Sequence, residues 1–272
     1  MTLVATNPLG RAAGINWRTA AVRLAPPIVG IVIVLALWWL VGFLLEGQPR
    51  FAVFRGFAIG PTFAAFAQLV SSGDAWRATA PSLWRVLEGL LWAFLIGAPV
   101  GLCIGSFALI ERMMQLPFQI LRMVSPLAWM PLAVLAFASW DGAIVFLIVA
   151  AAVWPIVFAT AAGVKRIDPL WLAMARNLGG TTFSVLIAVV IPAVAQDILT
   201  GLRLALGVAW IVLVPAEFLG VTSGLGYAIN DARDTLSYDR LTALVLLIGL
   251  IGYAFDVCIA ALIRRTQWTP AG

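Results

Sequence analysis

The chain has 272 residues, 63% of them hydrophobic and only 11% charged, with a formal net charge of +5, two cysteines and no histidine. A soluble domain carries about 25% charged residues, so a water-facing surface cannot be built from this composition and lipid must be the solvent over much of it. The missing histidine removes the commonest metal ligand and general base. Cys103 and Cys258 are too few and too isolated for a disulfide framework or a zinc site, and no Lys/Arg-rich run points to nucleic acid.

In chain order, Arg11, Arg18 and Arg23 precede a first apolar run at 27–45. That run is long for a signal-peptide core, and no small-residue cleavage site follows it, so a retained first span is expected after a tail at 1–26. Spans need about 20 mostly apolar residues, and five further runs qualify, at 86–109, 120–140, 142–163, 193–220 and 241–263. Pro99, Pro131, Pro155 and Pro215 fall inside them, which lipid tolerates where neighbouring helices satisfy the freed backbone groups. Gly97, Gly101 and Gly105 recur every fourth residue and mark a close-packing face, read as ordinary helix packing rather than a dimer motif. The segment 46–82 holds Pro61-Thr62, an apolar stretch to Val70 and the turn Ser71-Ser72-Gly73-Asp74, which predicts a short interfacial helix over 60–72.

Six spans put both termini on one side. Ten basic residues fall on that side: Arg11, Arg18, Arg23, Arg112, Arg122, Lys165, Arg166, Arg176, Arg264 and Arg265. Six fall on the other: Arg50, Arg55, Arg77, Arg85, Arg233 and Arg240. The positive-inside rule makes the richer side cytoplasmic, with 46–82 external and a cytoplasmic tail at 266–272.

The loop 165–192 carries a strong local signal. Asp168 suits a helix N-cap, Pro169 the first helical position and Gly179 the left-handed stop. They frame one short helix with Trp171, Met174, Ala175 and Leu178 on one face. So short a helix is marginal alone. It is either a connector lying on its own bundle or a docking helix whose apolar face enters a groove on a soluble partner.

The run Ala173-Met174-Ala175-Arg176-Asn177-Leu178-Gly179-Gly180, followed by Ile191-Pro192, resembles the cytoplasmic EAA loop of permease subunits of ATP-binding-cassette importers. Ser82-Leu83-Trp84-Arg85-Val86-Leu87-Glu88-Gly89, Ser125-Pro126-Leu127-Ala128-Trp129-Met130-Pro131-Leu132, Gly201-Leu202-Arg203-Leu204-Ala205-Leu206-Gly207-Val208-Ala209-Trp210 and Ser223-Gly224-Leu225-Gly226-Tyr227 resemble the nitrate/sulfonate/taurine/bicarbonate branch, over roughly 80–265. The resemblance implies an all-α membrane protein of the type I importer permease fold with a cytoplasmic coupling helix, in a bacterial inner membrane. It implies a second permease copy, two cytoplasmic ATPase subunits that bind ATP and magnesium, and a periplasmic or lipid-anchored solute-binding protein. No cofactor, metal or catalytic residue is expected in this chain, which has no phosphate-binding G-x-x-x-x-G-K-[ST] loop. Docking of the ATPase is expected at Asp168, Trp171, Ala173, Met174, Ala175, Arg176, Leu178 and Gly179. Ala173 stands where the family carries Glu, and the stretch 183–188 lacks the family's basic residues, so a more apolar docking surface is implied.

Charges within the spans mark a path or a partner. Gln196, Arg203, Trp210 and Glu217 are spaced by seven, nearly two turns, and so form a stripe. That stripe is expected to line the path, with Arg203 assisting an anion; alternatively Arg203 snorkels to the interface and Glu217 sits at the external headgroups. Glu88, Trp129 and Trp154 are further path candidates, while Asp256 is expected to bond to a neighbouring helix. The leading reading is an importer permease for a small anion such as nitrate, sulfonate/taurine or bicarbonate. Alternatives are a heterocyclic vitamin precursor as solute, or an ATP-independent secondary transporter coupled through Glu217 and Asp256.

Overall fold

The computed structural model describes residues 17–46 and 55–266. The tail before Trp17, the stretch 47–54 and the tail after Thr266 lie outside them, and with them Arg11 and Arg50 of the charge count. Among the described residues all regular structure is helical. Five helices are long and apolar enough to cross a membrane, or six if one sharply bent pair counts as a span.

In the first helix, α1 (Trp17–Glu46), no residue of Ala25–Leu44 is buried, and Trp38 Nε1 donates to Phe57 O at 2.8 Å. The short helix α2 (Ile59–Ser71) packs Ala65 and Leu69 against the last helix, α11 (Tyr238–Thr266), and leaves Phe63 and Val70 exposed. Between them in sequence run α3 (Asp74–Ser106), α4 (Ala108–Met123), α5 (Met130–Ala136), α6 (Trp140–Lys165), α7 (Pro169–Asn177), α8 (Thr182–Val185), α9 (Ile191–Glu217) and α10 (Leu225–Asp234). The central layer is α3, α6 and α9, with α6 in the middle: its contacts with α3 are the most extensive in the molecule and those with α9 the next. Ile144, Leu147, Ile148, Ile156, Val194 and Leu213 are fully buried in this core.

Two segments depart from the reading by hydropathy, and both departures have a physical cause. The second span does not begin at 86. α3 starts at Asp74, because its first turns bury Thr79, Ser82 and Arg85 against protein, and polar residues facing protein are invisible to an apolar count. The run 120–140 is not one helix. Phe107 is extended and breaks the chain after α3. Ser125 is held extended before Pro126, a 3-10 turn follows over Pro126–Trp129, and α4 and the segment Pro126–Ala136 meet at 87°. Helix α10 lies in a stretch read only as a connection. Ahead of α9, Pro192 has no N–H to give to the carbonyl of Ala188, and the helix widens to a π-turn over Leu186–Val190.

The glycine row on α3 is the seam with α6. A Cβ on Gly101 would stand 2.6 Å from both Thr160 Cβ and the carbonyl oxygen of Val157, and one on Gly105 would stand 2.6 Å from Val164 Cβ. The obstruction at Gly101 includes backbone, so no rotamer change relieves it. Gly101→Leu is expected to cost about 1–3 kcal/mol by overpacking, read as a lower unfolding midpoint in detergent. An unchanged midpoint would mean that α3 and α6 do not approach this closely.

Candidate functional site

At one end of the bundle α7 is held by caps encoded within its own few residues. Asp168 Oδ1 accepts from Leu170 N at 2.9 Å, and Pro169 takes the first helical position. At the other end Gly179 has φ of 83°, Gly179 N donates to Arg176 O at 2.9 Å and Gly180 N to Ala175 O at 3.0 Å, a Schellman stop. Leu172 and Ala175 turn inward onto the core. Trp171, Ala173, Met174, Arg176, Leu178 and Gly179 are exposed, Leu178 to 87%. Ala175 therefore does not share the outward face of Trp171, Met174 and Leu178; Leu170 joins that face instead. Ion pairs brace this end: Lys165 with Glu111 of α4, and Arg166 with Asp197 of α9.

The opposite end holds a buried charge cluster. Glu217, the last residue of α9, is 0% exposed and pairs with Arg85 Nη1 of α3 at 2.5 Å. Ser82 Oγ lies 2.8 Å and 2.9 Å from the two carboxylate oxygens, and Gly226 N donates to Oε2 at 2.8 Å. The Arg85 side chain is 5% exposed and donates through Nη1 to Ser223 O at 2.9 Å, through Nη2 to Ser223 Oγ at 3.0 Å and through Nε to Asp141 Oδ1 at 2.7 Å. Leu225 N in turn donates to Ser82 Oγ at 2.8 Å. One cation thus ties α3, α6, α9 and the link into α10. A buried charge is tolerable because it is paired and its remaining donors are used.

The expected stripe on α9 does not keep to one face of the bundle. Seven residues fall about 20° short of two turns, so three such steps drift by about 60°. Arg203 and Trp210 face α11, whereas Glu217 faces α3. Nor is Arg203 a free cation: its Nε and Nη2 donate to the two oxygens of Asp256 on α11, each at 2.6 Å. Trp210 packs on Phe255 at 5.9 Å between ring centroids. Glu88 is half-buried on α3, one turn from Arg85, and Gln196 is exposed near the start of α9. Trp129 is half-buried in the 3-10 turn against the core. Trp154 meets Phe118 of α4 edge-on at 5.3 Å and lines a cavity of about 520 Å³ between α4, α6 and α9.

Residues 92–268 match the family described as binding-protein-dependent transport system inner membrane component. The chain belongs to that family. The taurine transport system permease protein TauC of Escherichia coli K12 is 30% identical over 264 residues, 93% of this chain and 94% of its own. The bicarbonate transport system permease protein CmpB of Synechocystis sp. is 32% identical over 276 residues, 96% of this chain and 97% of its own. The nitrate import permease protein NrtB of Leptolyngbya laminosa is 34% identical over 193 residues, 71% of this chain and 69% of its own.

This chain is therefore a multi-pass inner-membrane permease subunit of an ATP-binding-cassette importer rather than an enzyme, and ATP hydrolysis in such a system lies in separate subunits. The permease's buried cluster is not legible by periodicity: in the sequence Arg85 reads as a loop charge and Glu217 as a path or headgroup residue. Their signal lay in two of the segments that carry the family resemblance, which contain Ser82, Arg85, Ser223 and Gly226.

Proposed function

We propose that the permease imports a small anion, as a homodimer with two ATPase subunits docked on α7 and an external binding protein delivering the solute. Both termini are cytoplasmic in this reading, following the excess of basic residues at the α7 end. The observation that carries it is the exposed apolar face of α7, Trp171, Met174 and Leu178, on a helix capped at both ends and seated by Leu172 and Ala175. The anion follows from the solutes in the names of the relatives: taurine, bicarbonate and nitrate. ATP and magnesium act on the partner subunits, whose closure displaces α7. Only differential affinity of the nucleotide for two states of the complex can do that work.

The rest of the chain supplies a rigid transmission. α7 connects through α8 and the π-turn to α9, whose 27 residues span about 40 Å. The far end of α9 is pinned by Glu217 to α3, α6 and the start of α10, so α9 carries these elements with it. Coupling to an ion gradient is less well supported. Asp256 and Glu217, its two candidate carboxylates, are each engaged by an arginine. The test is affinity purification of the permease, tagged at its native locus. A stoichiometric ATPase in the eluate is expected; a chain that purifies alone would refute the reading.

A further inference from the structure

The pairing of Arg203 with Asp256 leaves the proposed anion path in need of another positive charge. Arg122, near the end of α4, reads in the sequence as a loop cation at the membrane face. Its guanidinium lies 5.0 Å above the centroid of the Phe158 ring of α6. Phe158 is seven residues, about 10 Å, from Lys165 at the end of α6. α6 has 26 residues and is about 39 Å long, against about 30 Å of hydrocarbon, so that ring lies inside the apolar layer. Arg85 and Arg203, also within the length of the bundle, are each matched by a carboxylate. Among the described residues the Arg122 guanidinium has neither an ion pair nor a hydrogen bond; its recorded partner is the Phe158 ring.

Arg122 also stands where two cavities meet. The cavity of about 520 Å³ lined by Trp154, Pro155 and Val208 includes Arg122, and so does one of about 370 Å³ that reaches Gln115, Gln119 and Lys165 at the α7 end. Both are walled mainly by apolar groups, and the second also carries Gln115, Gln119 and the Glu111–Lys165 ion pair. A cation within the membrane is retained where it faces a cavity and meets a counter-charge, and a guanidinium offers a planar oxyanion two parallel donors. We propose that Arg122 is the anion-contacting residue of the translocation path, set where two open clefts meet, the second of which runs toward α7. The Phe158 ring would hold the guanidinium in place by a cation–π contact while no solute is present. This assignment rests on the anion-importer reading.

The test uses the complete transporter in proteoliposomes, with ATP on the ATPase side, the binding protein on the other, and labelled taurine, nitrate and bicarbonate as probes. Arg122→Gln is expected to lower uptake of the imported anion at least tenfold. Arg122→Lys, which keeps the charge but not the two-pronged donor, is expected to raise KM at an unchanged unfolding midpoint. Arg122→Cys, in a background with Cys103→Ser and Cys258→Ser, is expected to regain uptake with a cationic methanethiosulfonate adduct and not with an anionic one. That charge rescue separates an anion contact from a folding defect. If Arg122 served only a lipid headgroup phosphate, KM in Arg122→Lys would not move, which would overturn the assignment. Wild-type rates in Arg122→Gln would overturn it while leaving the anion-importer reading standing. Uptake of none of the three anions by the wild-type complex would remove that reading and this assignment together.

Discussion

Arg85→Ala is expected to destabilise the permease by about 3–5 kcal/mol, the range for removing one partner of a buried ion pair. Glu217 would be left 0% exposed without its cation, with only the Ser82 hydroxyl and the Gly226 N–H to serve it. The contact with Asp141 adds little to this loss, because that carboxylate is 67% exposed and water screens it. The paired replacement Arg85→Met with Glu217→Leu is expected to be much milder than either single change, since it removes the charge and its partner together. Unfolding midpoints of the purified protein in detergent read all three. A midpoint for Arg85→Ala equal to that of the wild type would show that the cluster does not hold the ends of α3, α6 and α9 remote from α7 together.

The second large effect lies at the other end. Met174→Glu combined with Leu178→Glu is expected to reduce co-purification of the ATPase at least tenfold while leaving the unfolding midpoint of the permease within a degree or two. Both side chains point away from the bundle, so a surface change there costs the fold little. A carboxylate desolvated without a partner in an apolar groove costs several kcal/mol on docking, ample for the tenfold loss. Ala173→Glu, which restores the residue the family carries, is a graded companion: the exposed position accepts it, and tighter association would mean that the partner keeps a basic group for it. Undiminished co-purification of the double variant would move the docking site away from α7.

What the sequence made legible divides by range. α7 was readable in detail because its determinants are local: Asp168, Pro169 and Gly179 act within a turn of the residues they cap, and the φ of Gly179 confirms the stop. The spans were readable because lipid demands long apolar runs. The break around Pro126 was visible, but its angle was not, since two helices at 87° and one bent helix have the same composition. The ion pairs were out of reach by periodicity. Arg85 and Glu217 are 132 residues apart, and Arg203 and Asp256 are 53 apart; no helical period links them. Seven-residue spacing on α9 suggested one functional stripe, but the drift of a straight helix carried Glu217 round to α3. Leu172 and Ala175 show the same limit on a smaller scale. A helical wheel places apolar residues on faces, but only the packed structure tells which face is buried and which is left for a partner.

The most direct test of importer function is solute uptake into proteoliposomes containing the permease and its co-purifying ATPase, with binding protein outside, ATP or a non-hydrolysable analogue inside, and all ion gradients collapsed by ionophores. Uptake that requires hydrolysable ATP, survives the ionophores and is lost in the Met174→Glu, Leu178→Glu variant is the result expected here. Uptake that ignores ATP and stops when the gradients are collapsed would contradict it.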